Sequence, residues 1–206
     1  MIHKKEDGLF WPVSDSNKCY DWTYNELAAH TRIVEACERR RSIVHAGANV
    51  GVYALKYSEY YDTVYALEPE NNNFKCLSLN CIDKDNIILM RAALGNLNTP
   101  IDVSNNEEDN CGTFALSGSG NIPQLTIDNL GLDDCDCIHL DCEGYEPLCL
   151  LGAVETIKRC SPLIVIEWMN HSNKYGWTQD MILAMLGTLG YNQMMCIGSD
   201  MMFKRG

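Results

Sequence analysis

The stretch IVHAGANVGVYA, Ile43–Ala54, decides the fold. A short apolar run ends near His45 and is followed by Gly47, Ala48, Asn49 and Gly51. A helical pattern over Val50–Tyr60 comes next. A strand, a turn of small residues and a helix form the ligand-binding start of an open α/β sheet. Glycine lets the backbone approach a ligand closely, and the helix N-terminus offers free N–H groups. The dinucleotide fingerprint G-x-G-x-x-G has a middle glycine that touches pyrophosphate. Here that place is Asn49, which is bulkier and polar. No Walker lysine occurs anywhere in the chain. The turn therefore asks for a nucleoside without phosphates, and S-adenosylmethionine fits. Glu68 ends the next strand, 17 residues beyond Gly51, near the spacing of about 20 at which an acid holds ribose hydroxyls.

Outward from this turn, strands and helices alternate. A T-x-x-E capping box at Thr23 and Glu26 predicts a helix running to about Arg40. Strands are predicted at Ile43–Ala46, Thr63–Pro69, Ile87–Leu94, Cys137–Asp141 and Leu163–Trp168. Helices are predicted over NNNFKCLSLNC, EPLCLLGAVETIKRC and TQDMILAMLGTLG, and the chain closes with a hairpin across Gly198–Asp200. Such alternation implies a parallel sheet covered on both faces. Ser104–Asn121 is polar, glycine-rich and too long for an ordinary connection, so it reads as a functional or disordered loop. Residues 1–41 read as an N-terminal helical cap segment and residues 42–206 as one catalytic domain.

Composition narrows the function classes. A net charge of −12 argues against a nucleic-acid partner. No run of about 18 apolar residues predicts a membrane span, and the N-terminus lacks the apolar core of a signal peptide. The eleven cysteines are odd in number and include no C-x-x-C pair. They read as reduced core thiols, which points to a cytoplasmic protein.

The stretches VHAGANVGVYA, VYALEPENNNFKCLSLN, NIILMRAALGN, QLTIDNLGL, IHLDCEGYEPLCLLGA and LIVIEW stand in this order over Ile43–Trp168. In them the chain resembles the FkbM family of S-adenosylmethionine-dependent methyltransferases; LDCEGYE followed by LLGA is the most specific match. The resemblance implies a Rossmann-like class I methyltransferase fold, with a mostly parallel seven-stranded sheet and an antiparallel C-terminal hairpin. It implies methyl transfer to oxygen, with a glycan or small-molecule hydroxyl as acceptor. It also implies that Gly47, Asn49 and Gly51 line the methionine end of the cofactor. Glu68, with Pro69 beside it, would hold the ribose, Arg91, Ala92 and Ala93 would flank the adenine, and Asp141 and Glu143 would face the reacting centre. The family usually has aspartate where this chain has His45. A neutral imidazole there would accept one hydrogen bond; a protonated one would repel the cofactor's ammonium group. A satisfied strand-end histidine is the competing account of His45.

The chemistry reads as follows from the residues. Asp141 and Glu143 are two apart, so on an extended segment both fall on one face. Two close carboxylates push at least one pKa upward, which suits a general base. Glu143 is the favoured base, with Asp141 positioning cofactor or acceptor. Glu167 and His171 are further candidates, against the plainer readings of an ion-paired strand end and a surface histidine. His139, inside a strand, reads as a packed core residue. No compact metal-ligand motif is present, and no metal is expected; ligation by Asp141, Glu167 and His171 is the minor alternative. Three rival functions remain: a catalytically impaired fold that binds a nucleoside or protein, a nucleotide-dependent oxidoreductase disfavoured by Asn49, and an RNA methyltransferase disfavoured by charge. Trp11, Tyr20, Trp22 and Tyr24 read as packing on the sheet edge, with an acceptor-covering flap as the alternative.

Overall fold

The computed structural model describes all residues, Met1–Gly206. The chain opens with an antiparallel hairpin of β1 (Ile2–Lys4) and β2 (Phe10–Pro12), then helices α1 (Lys18–Glu26) and α2 (His30–Ala36). This corrects the single helix expected from Thr23 to Arg40. Thr23 lies buried inside α1 and caps nothing. Asp15 does the capping: its carboxylate accepts the N–H groups of Cys19 at 3.1 Å and Tyr20 at 3.4 Å. The helix start is thus set by an acid four residues upstream of Cys19, outside the box that the spacing suggested.

Next come β3 (Ser42–Ala46), α3 (Val52–Ser58), β4 (Thr63–Leu67), α4 (Asn71–Asn80) and β5 (Ile87–Met90). The strand expected over Ile87–Leu94 breaks after Met90, where Ala92 N–H turns back onto the Met90 carbonyl at 3.0 Å. Its remainder is β6 (Ala93–Leu94). The expected Ser104–Asn121 loop is largely a hairpin, β7 (Ile101–Asn105) with β8 (Phe114–Ile122). Ala115, Leu116 and Ile122 give β8 a buried side, while Ser117, Gly118 and Ser119 are exposed. The small polar residues that read as a loop are the solvent-exposed middle of a strand.

A short β9 (Gln124–Leu125) leads to β10 (Cys137–Leu140), α5 (Glu146–Leu151), α6 (Val154–Cys160), β11 (Leu163–Glu167), α7 (Gln179–Thr188), β12 (Tyr191–Ile197) and β13 (Asp200–Arg205). The helix expected over Glu146–Cys160 is two helices. They part at Gly152, where a Cβ would meet the Gly95 carbonyl oxygen at 2.0 Å. No helix is long and apolar enough to cross a membrane.

Seven strands form the main sheet in the order β12-β13-β11-β10-β3-β4-β5. β13 runs antiparallel to both its neighbours, and the pairings among β11, β10, β3, β4 and β5 are parallel. The α/β class and the antiparallel C-terminal hairpin are as the sequence led one to expect. The chain order reverses at β3, which lies between β10 and β4, and a crevice opens there beyond the strand ends. Strand alternation divides the core. Val44, Ala46, Ile138 and Leu140 pack into one layer, and Ile43, Cys137 and Val165 into the other. His45 and His139 share the second layer's side and sit directly opposite each other in register.

Candidate functional site

A cavity of about 350 Å³ opens at the carboxyl ends of β3, β4 and β10. Its floor is the turn Ala46–Val50. Gly47 has φ 77°, and a Cβ there would sit 1.7 Å from the Asp141 carbonyl oxygen. Only glycine lets β3 and β10 close up at this corner. Asn49 also adopts a positive φ, 48°. Its side-chain amide donates to the Cys111 carbonyl at 3.3 Å and Asn73 donates to the same oxygen at 2.8 Å, tying the turn and α4 to the β7–β8 connection. The Asn73 Oδ1 atom is buried without a partner, and Asn73 lines the cavity.

Glu68 is fixed by backbone. Its two carboxylate oxygens accept the Asn49 and Glu70 N–H groups, each at 2.8 Å. Burial pushes its pKa up to about 7, against the pull of those N–H groups. Pro69, Ala92 and Ala93 continue the wall.

The opposite wall is built by the LDCEGYE segment. Glu143 and Gly144 both have positive φ, 54° and 95°. A Cβ on Gly144 would meet the His171 backbone at 2.4 Å. Glu146, 2% exposed, accepts the N–H groups of Cys142 at 2.8 Å and Gly144 at 3.1 Å. The buried Glu146 carboxylate is therefore the post around which the segment turns, and it aims Asp141 and Glu143 at the cavity. Reading the sequence gave Glu146 no role. The signal available was its place three residues after Glu143, within reach of its own turn.

The cavity acids crowd one another. His171 Nδ1 lies 3.4 Å from both Glu143 Oε2 and Glu167 Oε2. Burial pushes Glu143 up to about 7. Burial, then repulsion from Glu146 and Glu143, pushes Glu167 up to about 9. Asp141 is held well above the usual carboxylate range by burial, then by Glu167 and Asp200. Burial and the nearby Lys174 lower His171. This set stores or accepts a proton near neutral pH.

Of the residues singled out from the sequence, Gly47, Asn49, Glu68, Pro69, Ala92, Ala93, Asp141, Glu143, Glu167 and His171 all border this one cavity. Gly51 does not. It lies under the turn, where a Cβ would meet Leu77 Cδ1 at 2.7 Å. His45 is not part of the lining either; it is fully buried on the Ile43 side of β3 and stacks on His139, ring centroids 4.8 Å apart. Arg91 is exposed and outside the lining. Sequence reading missed the lining from Cys19, Thr23 and Asn73, while the lining stretch Asn110–Phe114 falls within the Ser104–Asn121 segment read as functional or disordered. Trp11 is a fully buried packing residue, whereas Trp22, 57% exposed, stands at the cavity wall as a flap residue would.

The methyltransferase FkbM domain profile matches residues 45–192. A methyltransferase FkbM from Methylobacillus flagellatus KT shares the fold at 16% identity and a TM-score of 0.54, over 89% of this chain and 55% of its own. The present chain thus spans little more than half the length of that relative. An rRNA methylase from Streptococcus thermophilus aligns at 15% identity and a TM-score of 0.52, over 86% of this chain and 94% of its own. A Streptococcus mutans protein in complex with SAH aligns at 12% identity and a TM-score of 0.53, over 87% and 97%. At these identities the likeness is one of fold. No curated protein matches the chain in sequence.

Proposed function

The chain belongs to the FkbM methyltransferase family, and from that premise we propose that it transfers a methyl group from S-adenosylmethionine to a hydroxyl of a small molecule or glycan. The observation that carries the reading is the meeting of Gly47, Glu68, Asp141 and Glu143 around one cavity. Three features of the cavity suit that donor. The bare Gly47 corner leaves room for a ligand against backbone. Glu68 keeps free lone pairs for ribose hydroxyls, since each oxygen takes one backbone N–H. The partnerless Asn73 Oδ1 offers a buried acceptor to a hydroxyl or an ammonium group.

When bound, the donor supplies an electrophilic methyl on a sulfonium. The chain's residues do the rest. Gly47 and Asn49 border the methionine end, and Pro69, Ala92 and Ala93 make the adenine side. Glu143, raised to about 7, accepts the hydroxyl proton as oxygen attacks. His171 and Glu167 hold the acceptor beside it. Asp141 positions the donor. Residues 1–41 act as a cap, with Trp22 closing the acceptor side and excluding water. The net charge of −12 and Glu107 at the rim favour a neutral or cationic acceptor over RNA.

Isothermal titration with S-adenosylmethionine and S-adenosylhomocysteine tests the donor half. Binding is expected, weakened at least about tenfold in Glu68→Ala, the loss of one charged hydrogen-bond partner. No heat at millimolar ligand removes the reading. Metabolite, glycan and RNA fractions incubated with enzyme and isotopically labelled donor test the acceptor half. Label on RNA, or none anywhere, overturns it.

A further inference from the structure

Three of the chain's five histidines meet on the Ile43 side of β3, outside the cavity lining. His30 comes from α2, His45 from β3 and His139 from β10, and Asp200 starts β13 beside them. His30, His139 and Asp200 are 2%, 1% and 5% exposed. The His139 Nε2 atom lies 3.5 Å from Asp200 Oδ2, and His30 Nε2 lies 4.0 Å from the same oxygen. All three ligand atoms fall within 4.8 Å of one another.

The hydrogen bonds say what these atoms are. His30 Nδ1 is 3.0 Å from the Glu26 carbonyl oxygen. A carbonyl only accepts, so Nδ1 carries the proton and Nε2 of the neutral ring is a bare lone pair. That lone pair faces a carboxylate, which also only accepts. Two buried acceptors pointed at each other are satisfied only by a proton or a metal ion between them, and at 4.0 Å the gap is long for a shared proton. His139 Nδ1 is 2.9 Å from the Tyr57 hydroxyl and its Nε2 has no hydrogen-bond partner; with Nδ1 donating to that hydroxyl, Nε2 is a second free lone pair. A ring nitrogen tied to a neighbour with the other left free is how ligating histidines are oriented.

We propose that His30, His139 and Asp200 bind one zinc-class divalent ion that ties α2 to the sheet and to β13. Two imidazoles and one carboxylate suit zinc; magnesium and calcium prefer all-oxygen sets. The three side chains leave a fourth position for water. His45 stands next to the site as a wall, stacked on His139 with 10° between planes. The role is structural, because none of the three ligands lines the cavity. It still reaches the cavity through Tyr53, whose ring stacks on His30 at 3.6 Å and which also borders the cavity.

The test needs no methyl donor. The purified chain is loaded with zinc, desalted and analysed for metal by mass spectrometry, and its zinc ligands are read by X-ray absorption. About one zinc per chain is expected, with two imidazoles and oxygen in the shell. Affinity in a competition titration should fall in His30→Gln and Asp200→Asn by more than the roughly 10–100-fold that loss of an outer-shell partner costs. His171→Gln should keep the zinc. The second group of metal-capable side chains, Glu143, Glu167 and His171, contains one imidazole and two carboxylates. A one-imidazole spectrum therefore overturns the assignment even where a variant fails to fold. Zinc lost in His171→Gln but kept in the other two does the same, as does no zinc above background.

Discussion

The acidic cavity and the histidine cluster are neighbours, joined by Tyr53 and by Asp200. Asp141 and His139 are two residues apart on one strand run and so point the same way, yet the first borders the cavity at the strand end and the second is enclosed within the sheet. Desolvation moves buried acids and buried imidazoles in opposite directions. It raises the acids, Glu143 to about 7 and Glu167 to about 9, and lowers the imidazoles, His30 to about 4. For Glu143, Glu167 and His30 the neutral form is favoured. On the open side this produces groups that take up or release protons near neutrality. On the closed side it leaves the His30 ring neutral, with its Nε2 facing the Asp200 carboxylate. Access to solvent, more than residue type, separates a reactive site from a structural one.

The largest expected effect comes from closing the corner between the two. Gly47→Ala puts a methyl 1.7 Å from the Asp141 carbonyl oxygen at a residue with φ 77°. Left-handed strain and overpacking together should cost about 2–5 kcal/mol of unfolding free energy in a urea titration, and donor binding should be lost. Gly118→Ala is the internal standard. Gly118 also has positive φ, 59°, but nothing lies within 4 Å of its added Cβ. It should lose only the strain, about 1–2 kcal/mol. Equal losses at the two positions would mean that the β3–β10 approach is not what Gly47 provides.

A smaller effect, on rate alone, should separate the open cluster from the closed one. Glu143→Gln keeps shape and removes the proton acceptor, so kcat should fall about 10²–10⁴-fold with KM little changed. The pH profile gives the sign. A base works when deprotonated, and its pKa lies at about 7. In the parent protein kcat/KM should therefore rise about tenfold per pH unit below 7 and level off above. In the variant that limb should vanish. A Glu143→Gln protein running at the parent rate would hand the proton to Glu167 or His171, both beside the same carboxylate.

Both clusters contain residues that were readable in the sequence and residues that were not. The strand, the glycine turn and the acid after the next strand were legible because each is a local pattern: Gly47, Asn49 and Glu68 are set by residues within about one βαβ unit. LDCEGYE was legible as a motif but not as a mechanism. Its turn depends on the Glu146 carboxylate accepting two N–H groups from its own loop. The capping box at Thr23 misled because Asp15 caps α1 instead. The β7–β8 hairpin looked like a loop because its exposed side is serine and glycine. The histidine layer was illegible for a different reason. His30, His139 and Asp200 are far apart in the chain, and only the order of strands in the sheet brings them together.

His45 supplies the smallest effect and the sharpest discrimination, since the sequence offered it as a cofactor contact and the structure puts its ring in the closed layer. Both its ring nitrogens are buried without partners. Burial, then His139 and His30, holds its pKa well below the usual imidazole range, so it is neutral. Removing two unsatisfied polar atoms is favourable by about 1–3 kcal/mol, and the slightly larger ring of phenylalanine costs a similar amount through overpacking. His45→Phe should therefore leave thermal stability within about 1 kcal/mol of the parent. Its affinity for S-adenosylhomocysteine should stay within about threefold, less than the loss of a single net hydrogen bond. An affinity loss of tenfold or more, with the melting temperature unchanged, would return His45 to the ligand. The backbone of β3 would then have to carry the effect from the closed layer to the cavity floor at Ala46 and Gly47, one and two residues away.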